Sequence, residues 1–94
     1  MSTNRGNFFY ERLTTLTGNY KDNSFEFKFS SRHIKIGVVG GELDFVLNGA
    51  DDTRVDGRIK PSDGLVSFEG LEANRIALKQ TSGAVTEVRV WAFK

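Results

Sequence analysis

Hydrophobic and polar residues alternate along most of this chain, a pattern typical of β-strands with one buried face. The clearest example is the stretch 24–30, SFEFKFS, in which Phe25, Phe27 and Phe29 share one face and the charged side chains share the other. HIKIGVV (33–39) and ELDFVLN (42–48) repeat the alternation. Their inward residues are Ile34, Ile36 and Val38, then Leu43, Phe45 and Leu47.

Turn-forming residues stand where the alternation stops. Gly40–Gly41 predicts a tight hairpin between HIKIGVV and ELDFVLN, because glycine adopts positive φ at little steric cost. Asn48–Gly49 predicts a second turn, and the proline, aspartate and glycine of 61–64 predict a third. Ser82 and Gly83 separate the last two strands. Further strands are expected at 53–59, 65–69, 75–79 and 85–93.

The strand spacing predicts an all-β protein: a small antiparallel β-sandwich of jelly-roll type, or a barrel, with about seven or eight strands. The segment NFFYERLTTL (7–16) leaves two interpretations open. Phe9, Leu13 and Leu16 have helical spacing, whereas the alternation of the same segment suits a strand, and its threonines are poor helix formers. We therefore expect residues 1–23 to form an N-terminal arm or a first strand with a loop, and residues 24–94 to form the β-sandwich domain.

Composition narrows the possible functions. The 94 residues make one domain, and 13 Lys and Arg against 12 Asp and Glu give a formal charge of +1 with the signs interspersed. This distribution predicts no nucleic-acid partner. The chain has no cysteine, which excludes disulfides and thiolate chemistry. It shows no signal peptide or membrane-spanning stretch, so a soluble protein without a membrane partner is expected.

No motif predicts catalysis or a cofactor. His33 is the single histidine, so a metal site with two imidazoles is excluded, and no sequence motif supports a Ser-His-Asp triad. The glycines around Gly40 do not have the spacing of a phosphate-binding loop. We accordingly predict a protein that is not an enzyme and has no cofactor.

The carboxylates do not predict a metal site or a catalytic site either. Asp51, Asp52 and Asp56 lie close together, but the ligand spacing of a helix-loop-helix calcium site is missing, so a solvated turn is expected. Other acids could in principle form a pair for glycoside hydrolysis, yet the alternation directs each of them away from the core. These are Glu26, Asp44 and Glu69.

The last strand, EVRVWAFK, poses the sharpest question. Val88, Val90 and Ala92 make an ordinary core face, whereas Trp91 and Phe93 lie on the opposite side. Two explanations are open: the N-terminal NFFY folds over these rings within the same chain, or another polypeptide buries them. The candidate interface residues are Phe8, Phe9, Tyr10, Arg89, Trp91 and Phe93.

From about residue 24 to the end, the order of SSRHIKI, LDFVLNG, VDGRIKPSDG and EVRVWAFK resembles small all-β structural proteins of tailed bacteriophages. The resemblance implies a virion component that is assembled in the host cytoplasm and acts by contact with capsid or other virion proteins. It also implies a homo-oligomer. A capsid decoration or cement protein, commonly a trimer, is expected, with neck, tail or fibre as other positions.

A different class of function remains open. The chain could be a small carbohydrate-binding or adhesive β-sandwich that uses Trp91 and Tyr10.

Overall fold

The computed structural model describes residues 2–4, 6–49, 51 and 53–94. Within these residues, seven strands form one antiparallel sheet in the order β1-β2-β7-β3-β6-β4-β5, so the predicted all-β fold is confirmed. Two short 3-10 turns, Lys21–Asn23 and Pro61–Asp63, interrupt the connections. The strands are β1 (Ser2–Asn4), β2 (Phe8–Leu13), β3 (Ser24–Val39), β4 (Glu42–Leu47), β5 (Gly57–Ile59), β6 (Val66–Ser82) and β7 (Glu87–Phe93).

The sheet closes into a sandwich because β3 and β6 are long and belong to both of its layers. Residues 33–39 of β3 pair with β7 and with the start of β6, and β7 pairs in turn with β2. These strands, with β1, form the first half-sheet. Residues 24–26 of β3 pair with the second part of β6, which continues to β4 and β5 to form the second half-sheet.

Separate strands at 24–30 and 33–39, and at 65–69 and 75–79, were wrong predictions, because each pair is one continuous strand. The pairing of β3 with β6 shifts register twice between Glu26 and His33. Lys28 (φ 65°) in β3 and Gly70 (φ 80°) in β6 adopt left-handed conformations near these shifts. Bulges of this kind bend a strand without ending it, so the chain passes from one layer to the other.

The core lies between the two half-sheets, and aromatic rings from each meet there. The Phe9 ring of β2 lies 5.1 Å from that of Phe27 in β3, and Phe45 of β4 lies 5.1 Å from Phe68 of β6. The predicted inward faces are confirmed. Fully buried residues with no exposed surface include Ile34, Ile36, Leu43, Ile76, Leu78, Val88, Val90 and Ala92.

The predicted hairpin at Gly40–Gly41 is wrong. The strands it joins, β3 and β4, are not neighbours in the sheet, because β6 lies between them. The two glycines instead take the chain from one half-sheet to the other, across the backbone of residues 82–86. A Cβ at Gly41 would lie 2.7 Å from the Ser82 carbonyl oxygen, so this crossing needs the close approach that glycine permits.

The other local predictions were confirmed in part. The turn at 61–64 is confirmed: Asp63 Oδ2 accepts a 2.8 Å hydrogen bond from the Lys60 amide, and Gly64 has a positive φ of 67°. The strand expected at 53–59 is shorter, covering only Gly57–Ile59. The extended interpretation of NFFYERLTTL is confirmed, since residues 8–13 form β2. The domain boundary at residue 23 stays a prediction.

The outer side of the second half-sheet is covered by the chain itself. Tyr20, which follows β2, packs on Val46 and Ala77, and all three side chains are fully buried. The Tyr20 hydroxyl donates a 2.8 Å hydrogen bond to the Arg54 carbonyl, which ties down the loop after β4. Tyr20 therefore covers the apolar side chains of Val46 and Ala77 on this outer side.

Asp44 lies on this covered side, and its environment differs from the expected one. It points away from the core as predicted, yet only 2% of the residue is exposed. Arg58 of the neighbouring β5 donates hydrogen bonds of 2.7 and 3.3 Å to its two carboxylate oxygens. The same contact raises the pKa of Arg58. Asp44 is therefore a paired structural charge, as a buried carboxylate requires.

Candidate functional site

The outer side of the first half-sheet carries the aromatic residues that the sequence singled out. Antiparallel pairing arranges the side chains of β2, β7, β3 and β6 in rows across the strands. We call this surface the outer aromatic face. Its rows are Phe8, Phe93, His33 and Glu69; then Tyr10, Trp91, Lys35 and Ser67; then Arg12, Arg89 and Gly37; and last Glu87 and Val39.

Neighbouring rings on this face contact each other in pairs. The ring centroids of Tyr10 and Trp91 are 5.2 Å apart, and those of Phe8 and Phe93 are 5.4 Å apart. The His33 ring lies 5.5 Å from Phe93 on the other side. NFFY thus lies beside Trp91 and Phe93 in the sheet and does not fold over them, so these rings remain partly exposed.

Charged side chains border the rings at one end of the face. Glu87 accepts a 2.8 Å hydrogen bond from Arg12 Nε, and Arg89 Nε lies 3.2 Å from its other carboxylate oxygen. The hydrogen bond from Arg12, followed by the nearby charge of Arg89, lowers the pKa of Glu87. One carboxylate therefore holds two guanidinium groups on the surface.

A groove continues the face toward the turn before β6. It encloses about 440 Å³, and its lining includes Trp91 and Arg89 of β7, Gly37 of β3, and Pro61 and Leu65 of the turn. Two of its lining side chains are apolar and exposed, since Leu65 is 56% exposed and Val39 is 52% exposed. The aromatic surface and this groove form one continuous, partly apolar region.

The structure brings together all but one of the predicted interface residues. Phe8, Tyr10, Arg89, Trp91 and Phe93 lie on the outer aromatic face. Phe9 was wrongly included: it is 4% exposed and packs in the core, because neighbouring residues of a strand point to opposite sides. The role of the other five as interface residues stays a prediction.

Sequence reasoning missed several members of the face. Arg12, His33 and Lys35 belong to it because their strands pair with β7 in a register that puts them beside the rings. The shared alternation of Phe8 and Tyr10 with Trp91 and Phe93 was the available signal. In contrast, nothing in the sequence indicated that the turn bearing Leu65 would border them.

His33 makes a contact that raises the question of catalysis. Its Nε2 atom lies 2.7 Å from Ser67 Oγ and 3.6 Å from Glu69 Oε1. In a catalytic triad the acid holds the other ring nitrogen, which fixes the tautomer that can accept the serine proton. Here the serine and the acid approach the same nitrogen, so the arrangement lacks the geometry of an activated nucleophile.

A second cavity, of about 500 Å³, lies at the corner where β3 and β6 change layers. Glu26 and Glu72 both line it, and each is paired with an arginine, Arg75 and Arg32 respectively. Asn48, in the left-handed region at φ 62°, joins the corner by accepting a 2.9 Å hydrogen bond from the Asn74 amide. These contacts pair both carboxylates that line the cavity and link Asn48 to β6 at the bend.

In the part of the chain that the structure describes, no group of three or more His, Asp or Glu side chains could hold a metal ion. Asp51 accepts hydrogen bonds from the Thr53 hydroxyl (2.7 Å) and amide (2.9 Å), which lower its pKa, while Asp52 lies outside the described residues. None of the described helices is long and apolar enough to cross a bilayer.

Comparison with known proteins gives information about the fold. No protein-family model matches the chain, and no curated protein matches its sequence. An RmlC-like cupin family protein with a double-stranded β-helix fold from Methanocaldococcus jannaschii is similar in structure, with a TM-score of 0.57 and 11% identity over 97% of this chain and 73% of that one.

Protein NMB1881 from Neisseria meningitidis has a TM-score of 0.52 and 12% identity over 100% of this chain and 81% of its own. At such low identity, both likenesses concern the fold alone. They agree with the prediction of a small antiparallel β-sandwich of jelly-roll type or barrel.

Proposed function

We propose that the protein is a non-enzymatic structural protein that acts through protein–protein contacts of the outer aromatic face. The observation that carries this proposal is the contrast between the two sides of the sandwich. Tyr20 covers the outer side of the second half-sheet, whereas Trp91, Tyr10, Phe8 and Phe93 remain partly exposed on the first. Tryptophan, tyrosine and arginine are the residues that most often dominate binding energy at protein interfaces.

The setting that we propose is the virion of a tailed bacteriophage, with capsid decoration as the preferred role and other accessory positions as alternatives. The support for this setting is the order of sequence segments from residue 24 onward. The fold is compatible with it, because a small rigid sandwich can present one face to a larger assembly. Binding would then need no reaction centre, in keeping with the geometry around His33.

The proposal predicts the behaviour of the double variant Trp91→Ala/Phe93→Ala. Both rings project outward from the core, so the variant should remain folded by circular dichroism. It should no longer sediment with empty capsids of the phage that encodes it, whereas the wild type should. Val55→Ala is a matched control, because Val55 is 54% exposed on a different part of the surface.

Three results would count against the proposal. An unfolded double variant would show that the two rings serve the core. Undiminished capsid binding by a folded variant would show that the face is not the contact. Failure of the wild type to bind any virion component would reject the virion setting itself.

Carbohydrate binding is a second candidate function, favoured by one observation. Trp91 and Tyr10 are adjacent, 5.2 Å apart, beside the groove of about 440 Å³. Their planes are inclined by 42°, so they do not form a single flat platform. Binding to a glycan array that is lost in both Trp91→Ala and Tyr10→Ala would favour this function over assembly.

A further inference from the structure

We propose that the outer aromatic face binds a second copy of this chain in a two-fold symmetric dimer. The proposal rests on the proposed function because both contacts use the same face, so a copy held in the dimer must dissociate before it contacts a capsid. Phe8 and Phe93 lie one row to one side of Tyr10 and Trp91, and Arg12 and Arg89 lie one row to the other side. Aromatic rings and guanidinium groups are thus equally distant, by about 7 Å, from the central row.

This arrangement is complementary to itself. Two faces can pack against each other about a two-fold axis that lies between them, and the axis proposed here follows the Tyr10 and Trp91 row. Rotation about it brings Phe93 of one copy opposite Arg89 of the other, and Phe8 opposite Arg12. Each pairing occurs twice, as an isologous interface requires. Trp91 meets its own copy at the centre.

The chemistry of these pairings is favourable. A guanidinium group stacks on an aromatic ring through its flat surface, whereas it pairs with a carboxylate through N–H groups at its edge. Glu87 therefore can hold Arg12 and Arg89 while both face the partner's rings. Their side chains are 46% and 49% exposed, which leaves surface for such contact.

The size of the face also suits a second copy. Three rows are symmetric about the proposed axis, and four strands at about 4.8 Å by three rows at about 6.8 Å give a patch of roughly 19 by 20 Å, or about 400 Å² in projection. The accessible area of a surface covered with side chains exceeds its projection. The interface would therefore be smaller than the roughly 800 Å² per partner of a standard protein interface, which agrees with a weak and reversible dimer. Packed sheets with aligned strands provide a known geometry for it.

The charge of Lys35 destabilises the dimer, which allows a specific test. Lys35 lies on the same row as Trp91, so the proposed axis places it opposite Lys35 of the second copy. Like charges that face each other weaken an interface. Removal of this side chain should therefore strengthen the dimer, whereas a simple loss of contact area would weaken it.

The test is sedimentation equilibrium of the full chain from micromolar to millimolar concentration. We expect a reversible dimer for the wild type, weakening by about tenfold in Arg89→Ala, and tighter association in Lys35→Ala. Arg89→Ala and Phe93→Ala should not be additive when combined, because each removes the same contact. Arg32→Ala is the matched control, since Arg32 pairs with Glu72 away from the face.

A wild type that remains monomeric at millimolar concentration would overturn the dimer. A dimer unaffected by Arg89→Ala and Lys35→Ala would overturn the proposed axis. Sedimentation of the protein with empty capsids tests the proposed function independently of the dimer. A monomer that binds capsids through Trp91 rejects only the dimer, and a dimer that binds no virion component rejects only the virion role.

Discussion

At the residue scale, Glu87 shows how one carboxylate organises the charged end of the outer aromatic face. Its pKa is lowered from the ordinary glutamate value of 4.5, first by the hydrogen bond from Arg12 and then by Arg89. A carboxylate with a lower pKa in the folded state stabilises that state above the unfolded pKa. The stabilisation is lost as the pH falls through the folded pKa, because the unfolded chain binds the proton more readily.

Glu87→Gln should therefore reduce stability at neutral pH and flatten its decline on acidification. Urea unfolding of wild type and variant at about pH 7 and about pH 3 measures both effects. The difference between the two proteins should shrink at high salt, which screens ion pairs at the surface. An unchanged pH dependence in the variant would show that the Glu87 contacts do not stabilise the fold.

Substitution of two phenylalanines distinguishes the core from the outer aromatic face. Phe27 has no exposed surface and packs on Phe9 across the sandwich, so Phe27→Ala should cost about 3 to 5 kcal/mol of unfolding free energy. Phe93→Ala should cost about 1 kcal/mol or less, because it removes only cross-strand contacts on the outer side. Denaturant titration of both variants provides the measurement. Equal losses would mean that Phe93 belongs to the core.

At the element scale, the crossing between β3 and β4 depends on Gly40. Its φ is +97°, and a Cβ there would collide with the Ala84 carbonyl oxygen. We expect Gly40→Ala to lower the unfolding free energy by about 2 kcal/mol or more, through both strain and the clash. Gly18→Ala is a suitable control, because a Cβ at Gly18 meets nothing within 4 Å. Equal stability of the two variants would contradict this account of the crossing.

Sequence alternation predicts which side of each strand is buried, but it does not predict which strands pair. Ile34, Leu43 and Val90 were placed correctly because a period of two depends only on neighbouring residues. The pairing partner of β3 depends on contacts that are distant in sequence, and the local freedom of Gly40–Gly41 suits a layer crossing as well as a hairpin. Left-handed Lys28 gave no sequence signal, so the continuity of β3 could not be foreseen.

The candidate site was predictable to a similar extent. The outward direction of Trp91 and Phe93 follows from alternation alone. Their neighbours Tyr10 and Phe8 follow only from the pairing of β2 with β7, which the sequence left open. The burial of Tyr20 was missed because no periodic pattern surrounds it, although it determines which outer side the chain itself covers.

At the scale of the whole molecule, the two outer sides have different chemistry. The second half-sheet is closed by Tyr20 and by the pair of Asp44 with Arg58, whereas the first presents rings bordered by arginines. A protein with one closed side and one partly apolar side has a defined polarity in any assembly. The experiments on capsid binding and self-association therefore examine one surface, and variants on the other side serve as controls.

The strands β3 and β6 cross the corner of the sandwich and serve both layers, which has a consequence for how the molecule opens. Detaching either layer would strip partners from the other, so neither can melt while its neighbour persists. Amide protons deep in both layers should then exchange with solvent through a single cooperative event. The subunit would be either wholly intact or wholly lost, without a half-open form for proteases to exploit.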